Sequence, residues 1–346
     1  MNELKEFIVG VDVSKKTLEI AVLEKEPQKV IGTKSFPNTT SGFEELKKYV
    51  LAKVKRGHWT VVLESTGVYH ENLVDYCSLN KIPVSVILPN KIKNYTKVEN
   101  IKSKNDQIDA KVIARYGCIF PLKLWSPMAD NYYELRTLSR HIMSLKKERA
   151  RAKTRLQTYK STKRTPQSIL DSEDEHILCL TDMIEHEEVE LKKLAYSNKD
   201  LKERIIHIAT IKGVSEIVAI QVICEVNGFE MVENARQLTS FAGLDVVERQ
   251  SGEFAGRTHI SKKGNRYIRR LLYMSAITAA THGSGKFIIL YQRISERNTG
   301  TSKLKGLIAV ERKLLIMIYT IWKKNERYEP DYIHASAKIA SGIAET

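Results

Sequence analysis

Four carboxylates carry the chemistry this sequence could do. Asp106 and Asp109 stand three residues apart in Lys104-Asn105-Asp106-Gln107-Ile108-Asp109-Ala110-Lys111, which reads as the start of a helix. That spacing puts both side chains on one side of a helix, one turn apart. Taken alone, the stretch favours a bland role, in which Asn105 or Asp106 caps the helix and Asp109 complements its dipole. Asp12, in Gly10-Val11-Asp12-Val13-Ser14, and Glu64, in Leu63-Glu64-Ser65-Thr66-Gly67, each close an apolar run. Each is by itself an ordinary turn former. As a set, the four are hard oxygen donors of the kind Mg²⁺ or Mn²⁺ takes. A cation so held can activate an attacking oxygen and stabilise a leaving one in phosphodiester chemistry. Lysines crowd the pair, among them Lys102, Lys104 and Lys111, and can hold phosphate.

A second candidate lies far downstream. Ser251-Gly252 sits in a glycine-rich loop hemmed in by Arg249, Arg257, Lys262, Lys263 and Arg266, with Asn265 close by and Arg269 and Arg270 on the helix that follows. On spacing alone Ser-Gly is a turn dipeptide. The surrounding cations would stabilise phosphoryl charge if the serine reacted.

The elements that must position these residues follow from periodicity. Phe7 to Val13 is an apolar strand, with Gly10 leaving room near Asp12, and Lys15-Lys16 turns into a strand alternating at Leu18, Ile20 and Val22. Lys29 to Phe36 completes a meander. A helix over 41–53, a strand over 59–64, a helix over 68–79, a strand over 83–88 closed by Pro89, a lysine-rich loop and the Asp106/Asp109 helix come next. This is an α/β domain with a mixed sheet. Two strands deliver an acid at their C-terminal ends, where such sheets place their sites.

Beyond residue 128 the pattern turns helical. Tyr132 to Tyr159 reads as one long helix, dense in Lys and Arg from Lys146 to Arg164. Thr165-Pro166 interrupts it, and an acidic helix runs from about Asp171 to Arg204. Two helices of opposite charge make a hairpin, suited either to oligomerisation and nucleic-acid contact or to a solvated spacer. Ile208 to Glu216 resembles a helix-hairpin-helix turn, with Ser215 where a second glycine is usual, and reads equally as a plain helical turn. Helices over about 264–280, 287–297 and 302–324 and a loose tail from Pro330 to Thr346 complete the chain. The predicted divisions are 1–128, 129–205, 206–328 and 329–346.

Composition narrows the class. A net charge of +15 on 346 residues leans toward a polyanionic partner, against the simpler reading of solubility by charge. With 42% hydrophobic residues, a packed core is assured. The cysteines, Cys77, Cys118, Cys179 and Cys224, are too scattered for a zinc ribbon or a disulfide scaffold and fit a reducing compartment. The N-terminus does not read as a signal peptide, and the longest apolar run, Leu314 to Trp322, is too short to span a bilayer. A cytoplasmic protein without membrane contact is expected. No Gly-x-x-x-x-Gly-Lys motif marks an ATP site.

The order Asp12, Glu64, Asp106, Asp109 on this strand pattern, with Asn-Asp-x-x-Asp-Ala at the third and fourth acids, resembles the RuvC-like, ribonuclease-H-fold domain of the DEDD insertion-sequence transposases. That family includes the pilin gene invertase and the bridge-RNA-guided recombinases. Downstream, Phe241-Ala242-Gly243-Leu244, Ser251-Gly252, Ile260-Ser261-Lys262-Lys263-Gly264-Asn265 and Arg269-Arg270 resemble the C-terminal signature of the same family. The resemblance covers nearly the whole chain. It implies a RuvC-like N-terminal domain, a coiled-coil connector that aids dimerisation and a mainly α-helical C-terminal transposase domain. It also implies a Mg²⁺-binding set Asp12, Glu64, Asp106 and Asp109, and Ser251 as a nucleophile that forms a covalent phosphoserine with DNA. Implied partners are donor and target DNA, a structured guide RNA, and further copies of the chain, a dimer or, at synapsis, a tetramer acting at the nucleoid. Nucleic-acid contacts are expected at Lys102, Lys104, Arg249, Gly252, Arg257, Lys262, Lys263, Asn265, Arg266, Arg269 and Arg270. The distance between the two motifs leaves assembly within one chain or between subunits open. The competing readings are a metal-dependent junction or RNA nuclease that uses the four acids alone, and a non-catalytic nucleic-acid-binding protein.

Overall fold

Strict alternation in the first strand decides the architecture of the N-terminal half. In β1 (Glu6–Val13), Phe7, Val9, Val11 and Val13 enter one core while Ile8 enters another, so both faces of the sheet are covered. β1 turns back antiparallel to β2 (Thr17–Glu24), which pairs antiparallel with β3 (Lys29–Pro37). After α1 (Thr40–Val54), β4 (His58–Glu64) lies parallel to β1 on its other side. α2 (Glu71–Leu79) leads to β5 (Val84–Ile87), parallel to β4. The sheet order is β3-β2-β1-β4-β5. α1 and α2 cover one face through Phe43, Leu46, Val50, Leu73 and Val74. α3 (Pro89–Val98) and α4 (Asp106–Ile119) cover the other through Ile92, Tyr95, Ala110, Ile113 and Ala114. A mixed five-stranded sheet with the first and fourth strands adjacent is the expected RuvC-like plan.

The computed structural model describes residues 5–55, 57–65, 67–101, 105–247, 250–251, 254–256, 258–283, 285–296 and 302–329. The chain forms two compact units, Met1–Pro127 and Met128–Thr346.

In the second unit α5 (Asp130–Lys160) and α6 (Gln167–Tyr196) pack side by side along their length. Ion pairs Lys146–Glu188 (2.5 Å), Arg155–Glu173 (2.9 Å) and Lys160–Asp174 (3.5 Å) run in opposite numerical directions, so the helices form an antiparallel hairpin of opposite charge. Leu135, Ile142, Leu145, Leu180, Ile184 and Leu191 belong to the large buried core of this unit. α7 (Lys199–Ala209), α8 (Glu216–Glu225) and α9 (Ala235–Phe241) follow. Four two-residue strands come next: β6 (Val246–Val247), β7 (Gln250–Ser251), β8 (Phe254–Ala255) and β9 (His259–Ile260). α10 (Arg266–His282), α11 (Gly285–Ser295) and α12 (Ser302–Lys324) complete a bundle around Ile205, Ile220, Ile223, Leu272, Leu314 and Ile318.

Three expectations need revision. Part of the lysine-rich loop is helical: Pro89 supplies a preset first residue for α3, and Ile92 and Tyr95 bury its inner side. α2 starts at Glu71 rather than Val68, because residues 67–70 form the turn out of β4. The acidic helix to Arg204 is two helices, since Asn198 caps a new one, its side chain accepting from the Leu201 N–H at 3.1 Å. At the turn between α7 and α8, Gly213 (φ +98°) lies so close to α10 that a Cβ would stand 2.8 Å from the Ser275 carbonyl oxygen. Among the described residues no helix is long and apolar enough to cross a membrane. The tail over 330–346 lies outside the described residues.

Candidate active site

The acid cluster is built by strand alternation and one close helix–sheet contact. Ile8 and Gly10 of β1 face α4, so two residues on, Asp12 projects to the same side. In β4, Val62 joins the α4 core while Val61 and Leu63 join the opposite one, so Glu64 also belongs to the α4 side. β1 and β4 run parallel with Val11 opposite Leu63, so both acids sit at one end of neighbouring strands. α4 brings the other two. A Cβ on Gly10 would come within 2.3 Å of the Ala110 carbonyl oxygen and 2.4 Å of the Ala114 nitrogen. Farther along, one on Gly117 would meet Ile8 Cγ2 at 2.8 Å and Val62 Cγ2 at 2.9 Å. The helix therefore lies directly on the strands that carry Asp12 and Glu64, with Asp106 and Asp109 in its first turn.

Asn105 does the capping. Its side chain accepts from the Ile108 N–H at 2.8 Å, and its carbonyl accepts from the Asp109 N–H at 2.9 Å. Electrostatics tie the four acids together. Asp12 is pushed up to about 6, first by burial and then by the negative charges of Asp109, Asp106 and Glu64. Such a concentration of carboxylate charge fits a hard divalent cation, which would neutralise it. The cluster is not a closed cage: among the described residues no three His, Cys, Asp or Glu side chains converge tightly enough to hold an ion. A fifth carboxylate stands beside it. Glu19 of β2 pairs across the sheet with Asp12, and its buried Oε2 has no hydrogen-bond partner among the described residues. Its alternation with Leu18 and Ile20, opposite Asp12 in a predicted hairpin, was the signal that could have found it.

In the second unit, β7 and β8 pair antiparallel with Ser251 opposite Phe254, which places the Ser251 backbone at the turn end of a small hairpin. The motifs on either side lock together behind it. Gly243 (φ +68°) and Gly264 approach so closely that a Cβ on Gly264 would stand 2.4 Å from the Gly243 nitrogen. Asn265 N–H donates to the Phe241 carbonyl at 2.7 Å, and Arg269 Nη1 donates to the Ala242 carbonyl at 2.6 Å. The Ser261 hydroxyl donates to Asp245 Oδ1 at 2.6 Å. Asn265 does more: its Oδ1 caps α10 at Tyr267 N (2.8 Å), and its Nδ2 donates to Glu225 Oε2 at 2.7 Å. Arg140 holds the same buried Glu225 through both oxygens, at 2.8 and 2.9 Å. Asn265 thus spends both its side-chain polar atoms inside the unit, and Arg269 its Nη1. Lys262, Lys263, Arg266 and Arg270 are exposed. Lys102, Lys104, Arg249, Gly252 and Arg257 lie outside the described residues, as does the Ser251 side chain.

Two family models match the chain in this order. A transposase model, of the DEDD type of IS110 elements, spans residues 9–159 and so contains the four acids. A model for the transposases of the IS116/IS110/IS902 family spans residues 206–292 and contains Ser251. The pilin gene-inverting protein of Moraxella bovis is 26% identical over 327 residues, 93% of this chain and 97% of the relative. The transposase for insertion sequence element IS1111A of Coxiella burnetii is 27% identical over 315 residues, 83% of this chain and 80% of the relative. Among solved structures, Thermus thermophilus RuvC in complex with a Holliday junction substrate matches at 13% identity and a TM-score of 0.27, covering 35% of this chain and 99% of that one. So low a score carries no argument, and the fold stands on its strand order.

Proposed function

Because the chain belongs to the transposase family of the IS116/IS110/IS902 insertion elements, we propose that it exchanges DNA strands through a covalent serine link at a metal-assisted site. The observation that supports this reading is that Asp12 and Glu64 lie at the ends of neighbouring strands on the side covered by α4, whose first turn carries Asp106 and Asp109, and that Asp12 is pushed up by burial and then by the charges of the other three.

The serine step balances without an outside energy source. Ser251 Oγ attacks the scissile phosphorus, an Oγ–P bond forms and the P–O3′ bond breaks. The serine proton passes to water, and the departing 3′ oxygen takes a proton to become a hydroxyl. The DNA is left with a 5′-phosphoserine link. The 3′ hydroxyl of a second strand then attacks that phosphorus, the P–Oγ bond breaks and the serine regains its proton. One phosphodiester is broken and one made. Held by Asp12, Glu64, Asp106 and Asp109, Mg²⁺ or Mn²⁺ would polarise the scissile phosphate and lower the pKa of the attacking hydroxyl. Gly10 and Asn105 keep the acid-bearing helix in place, and the clamp of Ala242, Gly264 and Arg269 fixes the ends of the serine hairpin. Lys262, Lys263, Arg266 and Arg270 offer exposed cations to the DNA backbone, as do Lys102, Lys104, Arg249 and Arg257 by their charge. Two duplexes must be held for exchange, which calls for at least a dimer and, at synapsis, a tetramer. A structured RNA that pairs with donor and target would select the sites.

Strand exchange on a supercoiled plasmid tests the pair of readings. Ser251→Ala should abolish exchange, and so should Asp12→Ala and Asp109→Ala in Mg²⁺. If Ser251→Ala still cleaves in Mg²⁺ while the acid variants do not, the protein is a nuclease working through the four acids and water.

A further inference from the structure

We propose that a cleft in the second unit, walled by Arg236, Ser240 and Arg312, binds a backbone phosphate of the DNA that Ser251 attacks. The cleft encloses about 400 Å³ between α9, the start of β6 and α12, and its lining is Arg236, Thr239, Ser240, Asp245, Val246 and Arg312. Two guanidiniums from different helices share it. Among the described residues, neither forms an ion pair or a side-chain hydrogen bond, although Asp245 lines the same wall. Asp245 is engaged elsewhere, accepting from the Ser261 hydroxyl at 2.6 Å. Arginine is always charged, and its planar fork matches phosphate oxygens. Two such groups around one cleft repel each other until an anion comes between them.

The ligand class follows from the charge balance. Two guanidiniums and one carboxylate leave a net single positive charge, which a phosphodiester, with one negative charge, matches better than a free phosphate dianion does. The exposed Ser240 hydroxyl adds a donor. Position then relates the cleft to the reacting serine. Val246 lies five residues before Ser251, so their Cα atoms are within about 18 Å however the intervening chain runs. A phosphate in the cleft therefore belongs to the same stretch of DNA as the one Ser251 would attack. This last link rests on the proposed role of Ser251, whereas the cleft's affinity for a phosphodiester does not.

The test uses the full chain and a fluorescein-labelled DNA duplex, with binding followed by anisotropy across a salt series. Arg236→Gln with Arg312→Gln should flatten the slope of log affinity against log salt by about 1 to 2, as expected when one or two cation–phosphate contacts are lost. Each single variant should flatten it by about 1. Arg236→Lys with Arg312→Lys should recover most of the slope, since the charge is kept. Thermal melting of every variant should match wild type, as both arginines are exposed. An unchanged slope in the glutamine variants overturns the proposal, and so does a slope that falls for a structured RNA but not for DNA. Ser251→Ala should keep the wild-type slope. If that variant still exchanges strands while the arginine variants lose slope, the cleft stands and only the serine mechanism fails.

Discussion

Asp12 is the residue on which the acid cluster turns. Burial raises it first and the charges of Asp109, Asp106 and Glu64 raise it further, since carboxylates from β4 and α4 face it. Glu311 on α12 offers a contrasting case of a buried acid. It is 3% exposed, its Oε1 has no partner among the described residues, and burial pushes it up to about 8, with Arg269 pulling the other way. Its ordinary value is 4.5, so below that pH both folded and unfolded chains are protonated and Glu311 exacts no penalty. Between 4.5 and about 8 the folded chain keeps a proton that the unfolded chain releases. Stability should therefore fall with rising pH, by up to about 1.4 kcal/mol per pH unit, and level off above that window. Glu311→Gln should flatten this profile and melt higher than wild type at pH 8, with little difference at pH 4.5. Parallel melting curves for the two proteins across that range would contradict the assignment. At this scale the sequence is unevenly legible. Asp12 and Glu64 announce themselves by closing apolar runs. Glu19 looks like any outward strand residue until the hairpin register sets it opposite Asp12. Glu311 reads as one of three consecutive charges, although Leu307, Leu314, Leu315 and Ile318 place it on the buried stripe.

Helix α4 is the element that brings Asp106 and Asp109 to the strands that carry Asp12 and Glu64. Its approach to β1 depends on Gly10, where no side chain fits between the strand and the Ala110–Ala114 backbone. Gly10→Val should cost about 2 kcal/mol or more, because the obstacle is helix backbone rather than a flexible side chain. It should also lift Asp106 and Asp109 away from Asp12, so that a chain folded by circular dichroism has lost DNA cleavage in Mg²⁺. Wild-type cleavage by Gly10→Val would show that the close helix contact does not set the acids. The order of strands and helices in the first unit was readable from alternation and turn residues. The helix α3 was hidden by its lysines, since only Ile92 and Tyr95 are buried on it. The small strands around Ser251 were hidden as well. At two residues each they have no period to detect, and backbone contacts between the Gly243 and Gly264 turns define them. Asn265 could be read as a DNA contact because it stands among cations. Its partner Glu225 is 40 residues away in sequence, and only the fold brings them together.

At the scale of the whole molecule, one family model covers the sheet unit and runs on through α5 to residue 159, and the other lies wholly within the helical unit. The net charge of +15 suits a protein whose substrate is a polyanion. Composition and motif order carried that much without a structure. The proposed joint use of acids and serine is beyond composition, because it links residues more than a hundred positions apart in sequence. The central claim is that Ser251 carries the DNA between cleavage and rejoining. The most direct measurement is to incubate the full chain in Mg²⁺ with a DNA substrate that traps the cleaved state, digest it and locate the adduct by mass spectrometry. The account predicts a 5′-phosphorylated nucleotide on Ser251, absent from Ser251→Ala and from Asp12→Ala. Cleaved DNA bearing a free 5′ phosphate with no adduct, or an adduct on Ser240 or Ser261 instead, would contradict it.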